Sequence, residues 1–216
     1  MSLRVLVPPS ASEGLPARLV QLYAGLVLYG VALSLNVLAG LGLDPWDVFH
    51  QGLARQTSMG IGTWVIIVSV PVLLLWIPLR LRPGIGTISN ALIIGLVMNA
   101  VLAVAPAPSA MPVRVLFLLC GTVLCGIATG MYIGAGLGPG PRDGLMVGIA
   151  ARGHSIRAVR TCLELAVLAC GFGLGGTVGV GTVLFAVSIG PIAHVTIPLF
   201  TRGGPAPRAA MAEGVS

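Results

Sequence analysis

Only 8% of the 216 residues are charged and the mean hydropathy is +1.01, which excludes a soluble domain, where about a quarter of residues carry charge. The net charge of +6 comes wholly from arginine. These arginines stand mostly at the ends of apolar runs, so they report membrane topology and not nucleic-acid binding.

Residues 1–18 form a polar N-terminal tail. The first apolar run is too long for a signal-peptide core and ends without a small-residue cleavage site, so the first helix is expected to stay attached. Six spanning helices are expected, at 19–41, 63–80, 84–105, 112–136, 158–176 and 180–199. About 20 helical residues cross a hydrocarbon core of roughly 30 Å. With the N-terminus in the cytoplasm, ten of the twelve arginines fall inside and only Arg55 and Arg114 outside, which places both tails, 1–18 and 201–216, in the cytoplasm. Segments 45–56 and 141–152 are too short to cross, and counting them as spans would move Arg80 and Arg82 outside. Trp46 and Trp64 fit the outer interface, Tyr23 and Trp76 the inner one.

The chain repeats itself. Residues 25–54 return at 121–150 with an offset of 96, so that Gly25, Gly30, Ala39, Gly40, Leu41, Gly42, Pro45 and Asp47 all find identical partners. After a one-residue slip, Gly84-Ile85-Gly86-Thr87 matches Gly179-Val180-Gly181-Thr182. The repeats cover 19–105 and 112–200, and each crosses three times. An odd number of crossings starts the second copy on the opposite face, the plan of many secondary transporters and channels. The expected fold is an all-α polytopic membrane protein, with six transmembrane helices as two inverted three-helix repeats. Each repeat has a short half-helix after its first span.

Those half-helices carry the strongest site signal. Asp44-Pro45-Trp46-Asp47 and Gly140-Pro141-Arg142-Asp143 each place proline at a helix start, where its missing N–H costs nothing. The aspartate two residues later lies beside unpaired amides and the positive helix end. The two N-termini either point into the membrane and bind a solute or lie flat at the interface, with the aspartates as caps. Glu164 is the acidic residue deepest inside an expected span, which makes it a functional candidate for taking up a proton or cation. Its alternative is an i, i+4 ion pair with Arg160. Asn99 and His194 occupy equivalent positions at opposite ends of the third and sixth helices, at entry and exit or in the headgroup region. The small-residue stripe Gly126, Gly130, Gly134 permits close helix packing, and such faces also suit a homo-oligomer. Cys120, Cys125, Cys162 and Cys170 lie in apolar stretches without metal-ligand spacing, so no metal or cofactor is expected. The chain lacks Gly-x-Ser-x-Gly, His-Glu-x-x-His, phosphate-loop and dinucleotide motifs, so an enzyme is not expected.

The stretches Gly138-Pro139-Gly140-Pro141-Arg142-Asp143-Gly144-Leu145-Met146, Val159-Arg160 through Glu164, and Gly175 through Thr182 carry a resemblance. In the first half Asp44 through Asp47 and Gly84 through Thr87 carry it. Over residues 20–200 the chain resembles the YczE-like proteins, bacterial integral membrane proteins more loosely grouped with the YitT family. The resemblance implies a helical protein of the bacterial inner membrane and assigns no substrate.

The expected function is a small secondary transporter or permease. Asp47 and Asp143 would bind solute or shape gates, Arg142 would attract an anionic group, and Glu164 would carry the coupled proton or cation. The alternatives are a non-transporting accessory or assembly factor and the substrate-binding membrane subunit of a multisubunit importer. The expected partners are the lipid bilayer and a small solute, not nucleic acid.

Overall fold

A computed structural model describes residues 14–201, and every regular element in that range is an α-helix. Residues 1–13 and 202–216, most of both expected tails, lie outside the described residues. In chain order the helices are α1 (Leu15–Ala39), α2 (Pro45–Arg55), α3 (Ile61–Leu74), α4 (Trp76–Leu79), α5 (Ile85–Val104), α6 (Met111–Gly134), α7 (Pro141–Ala150), α8 (Ile156–Gly173) and α9 (Val180–Phe200). Helix α1 begins four residues before the expected span because Pro16 in its first turn favours a helix start there. It ends at Gly40, whose left-handed conformation (φ 61°) lets its N–H bond the Val37 carbonyl.

Five segments are long and apolar enough to cross a membrane: α1, α3 with α4, α5, α6 and α9. The expected fifth span corresponds to α8, which has 18 residues, carries Arg157, Arg160 and Glu164, and is not among the five. The expected second span is broken at Leu75. Pro78 supplies no N–H to the Leu74 carbonyl and its ring crowds that carbonyl, so the helix cannot continue unbent.

Helices α1 and α6 form the centre and run antiparallel. Gly25 of α1 lies against Met131 and Tyr132, while its counterpart in the repeat, Gly121 of α6, lies against Ala32 and Asn36. One contact is thus made twice. Helix α5 packs on α1, and α9 packs on α6. Gly126, Gly130 and Gly134 receive Ile192, Thr196 and Phe200 of α9, so the chain itself fills that stripe. The short α2 packs on α8 and α3, and the short α7 on α8, α3 and α4.

The halves also differ in how their later helices pack. Gly62 of α3 and Gly95 of α5 bring their backbones into direct contact, but the corresponding α8 and α9 make no comparable contact. Arg157 stands where Gly62 does, and its side chain precludes the same approach.

Two arginines tie the central pair together. Arg18 donates from Nε and Nη2 to the Ala135 and Gly136 carbonyls, at 2.8 Å each. Its counterpart Arg114 donates to Ala39 at 2.8 Å and Gly40 at 2.9 Å. Each cation thus satisfies the orphan carbonyls, and opposes the negative end, of the other repeat's first helix. Arg18→Ala and Arg114→Ala are each expected to cost about 1 kcal/mol, read as a lower thermal midpoint in detergent. Arg82→Ala, at an exposed turn position, should leave the midpoint in place.

Candidate functional site

Helix α2 is started by its own sequence. Asp44 sits in an extended conformation and its Oδ1 accepts from the Trp46 and Asp47 amides at 3.1 and 3.3 Å, with Pro45 in the first helical position. One turn further, Asp47 Oδ1 meets His50 Nδ1 at 3.1 Å, and both side chains are 1% exposed. Helix α7 starts after Gly140, without a side-chain cap, and has Pro141, Arg142 and Asp143 in its first turn.

The loops leading into these helices are pressed against the other half of the chain. Gly42 (φ 113°) lies on Gly179 and Thr182 at the start of α9, and Gly138 (φ 120°) on Gly84 and Thr87 at the start of α5. A side chain at either position would collide, and the backbone conformation itself favours glycine. The Gly181 N–H bonds the Leu41 carbonyl at 2.8 Å, and the Gly86 N–H bonds that of Leu137 at 2.9 Å. Thr87 adds a bond to the Pro139 carbonyl at 2.8 Å, and Trp76 Nε1 one to that of Pro141 at 3.0 Å.

These anchors bring the two helix starts together. Arg142 Nη1 lies 3.8 Å from Asp44 Oδ1, and the guanidinium carbon is 5.3 Å from the centre of the Trp46 ring. Asp143 Oδ2 accepts from the Tyr132 hydroxyl, and the Tyr132 ring meets Tyr29 of α1 edge-to-face at 5.8 Å. At this junction two buried polar atoms have no hydrogen-bond partner, Trp46 Nε1 and Asp47 Oδ2. Asp44 and Asp47 share a single nearby guanidinium, while Asp143 has its tyrosine. No group of three His, Cys, Asp or Glu among the described residues is placed to hold a metal ion.

Of the residues singled out from the sequence, Asp44, Pro45, Asp47, Pro141, Arg142 and Asp143 belong to this junction. Glu164 and Arg160 do not. They form their own ion pair at 2.8 Å on the accessible side of α8, with the arginine side chain 49% exposed. Asn99 Nδ2 donates to Thr63 Oγ1 at 2.9 Å and ties α5 to α3, while His194 lies on the exposed face of α9. Trp46 and Trp76, expected as interfacial anchors, are 6% and 2% exposed. Arg142 covers the first, and the second packs on Gly144 of α7.

Sequence reasoning misses His50, Tyr29 and Tyr132. The spacing Asp47-x-x-His50 puts both on one helical face and is a readable signal. Nothing local marks the tyrosines, because their partners come from other helices.

The chain matches, over residues 16–198, a family described as a family of unknown function (DUF6198). It is 45% identical over 178 residues to an uncharacterized protein of Haemophilus influenzae, covering 82% of each chain. It is 35% identical over 180 residues to the uncharacterized membrane protein YczE of Bacillus subtilis, covering 82% of this chain and 83% of that one. YyaS of B. subtilis is 28% identical over 185 residues, covering 82% of this chain and 91% of YyaS. No solved structure matches the chain. With its apolar helices and these relatives, the chain is an integral membrane protein and belongs to the YczE-like family, the family of unknown function DUF6198.

Proposed function

We propose that the protein is a small secondary transporter or permease of the bacterial inner membrane, built as two inverted repeats around a buried site. The observation that carries this reading is the meeting of the α2 and α7 starts, through Arg142, Asp44 and Trp46. Helices of 11 and 10 residues are too short to span. When their N-termini meet inside a bundle of apolar helices, they bring positive helix ends, and at α7 amides with no side-chain cap, to a buried place, as in transporters with discontinuous helices.

The opposite ends of the half-helices support the inversion. Arg55 at the end of α2 bonds the Gly175 carbonyl and Thr177, beside the turn between α8 and α9. Arg152, just past α7, bonds the Pro78 carbonyl, beside the turn between α4 and α5. In the proposed topology these turns lie on opposite faces and both chain ends lie in the cytoplasm. Arg55 and Arg114, the two arginines against the charge bias, are then held outside by bonds to backbone carbonyls.

Cysteine labelling in intact cells and inverted vesicles tests this, using a chain whose four native cysteines are replaced by alanine. Gln56→Cys is expected to react only from outside and Ala151→Cys only from the cytoplasm. A small polar thiol reagent should also reach Asp47→Cys or Asp143→Cys from one face. Labelling of Gln56→Cys and Ala151→Cys from the same face overturns the inversion. If neither central position reacts while the two ends do, the accessory reading replaces transport.

A further inference from the structure

We propose that the junction of α2 and α7 binds one small monoanion together with one proton, the anion on Arg142 and Trp46 and the proton on the Asp44–Asp47 pair. The inference rests on the transport reading and gives its solute a chemical class.

The anion half follows from donors that lack acceptors. Trp46 Nε1 has no partner although the residue is 6% exposed, and the face of the same ring lies under the guanidinium of Arg142. Arg142 is only loosely engaged, at 3.8 Å from Asp44, and 22% of its side chain remains accessible. Both helix starts add positive helix ends, and the α7 start adds amides with no side-chain cap. The Arg142 guanidinium, the Trp46 indole N–H and the α7 amides supply donors beside the Asp44 carboxylate, a set that suits a carboxylate or a small inorganic anion once that carboxylate is neutralised. Asp44, Trp46 and Asp47 are each at most 6% exposed, which favours a small one.

The proton half follows from an acceptor that lacks a donor. Asp47 Oδ1 is engaged by His50, but its Oδ2 is buried and unpartnered. Asp44 Oδ1 caps the Asp47 amide at 3.3 Å, which keeps the two buried carboxyl groups close together at the start of α2, so that one proton can serve the pair. His50 on α2, Arg142 and Asp143 on α7, Tyr29 on α1 and Cys125 on α6 are the other titratable groups around the pair. Asp143 is already served by Tyr132.

Charge then couples the halves. One guanidinium compensates the Asp44–Asp47 pair, and an anion that takes it leaves buried carboxylate charge without a counter-charge. A proton entering with the anion restores the balance. By linkage, each ligand tightens the binding of the other.

The purified full-length protein in detergent, titrated calorimetrically with formate, nitrate and chloride in weak buffer carrying a pH indicator, tests the proposal. At least one of the three is expected to bind at least tenfold more tightly at pH 5.5 than at pH 7.5, with close to one proton taken up per anion. Trp46→Phe keeps the ring beside Arg142 and removes the donor, so it should weaken binding about tenfold. Asp44→Asn should retain binding and lose most of its pH dependence. Binding by none of the three anions, binding independent of pH, or binding without proton uptake overturns the proposal. Proteoliposome flux separates it from the transport reading. Proton-linked binding without flux removes transport and leaves the site, whereas pH-independent flux undiminished in Trp46→Phe removes the site and leaves transport.

Discussion

Gly95→Ala is expected to destabilise the protein by about 3 kcal/mol, the upper range for overpacking a tight contact. The added carbon would stand inside van der Waals contact with the Gly62 backbone carbonyl and against the Ile66 side chain. A rotamer change relieves a side-chain clash, but a backbone carbonyl inside a helix cannot step aside, so α5 must move away from α3. That movement also disturbs the Asn99–Thr63 bond between the same helices. The informative comparison is Gly190→Ala at the corresponding place on α9, where nothing lies within 4 Å. Alanine there should be neutral or stabilising by up to about 1 kcal/mol through helix propensity. Thermal unfolding of both variants in one detergent checks the pair, and equal midpoints would contradict the difference between the two halves.

Arg142→Gln is expected to cost about 2–3 kcal/mol, towards the lower end for breaking a buried ion pair because the guanidinium keeps some access to solvent. The loss comes from leaving the Asp44–Asp47 pair without its counter-charge, and the cation–π contact with Trp46 is lost as well. The double variant Arg142→Gln/Asp44→Asn should recover at least half of the loss, since it removes the orphaned charge. Chemical or thermal unfolding of the wild type, both single variants and the double variant gives the coupling as a double-mutant cycle, expected above about 1 kcal/mol. Strict additivity would mean that the two groups, 3.8 Å apart in the structure, do not interact.

Part of the site is legible in the sequence. Pro45, Pro141 and the aspartates that follow them are local helix-start signals, and such signals depend on the few residues beside them. The repeat then puts the two starts at matching places in the chain. Glu164 draws attention through its expected depth, yet the competing i, i+4 relation to Arg160 describes the ion pair that forms. The tryptophans mislead because an aromatic residue near a helix end reads equally well as an anchor or as packing. Trp46 and Trp76 are packed by α7, which follows each of them by more than sixty positions.

The sequence alone determined that this is a helical membrane protein, where most of its helices lie, and that its two halves share one pattern. Hydropathy, helix caps and proline positions act over a few residues, so they can be read along the chain. Only the tertiary structure decided which polar groups meet. It brought Arg142 to Asp44 and Trp46, and it set Arg18 and Arg114 on each other's helix ends. It also closed α3 on α5 while leaving α8 apart from α9. Each of those outcomes is a contact between helices or helix ends distant in sequence, set by how whole helices pack and by the few ångströms over which an ion pair or hydrogen bond acts.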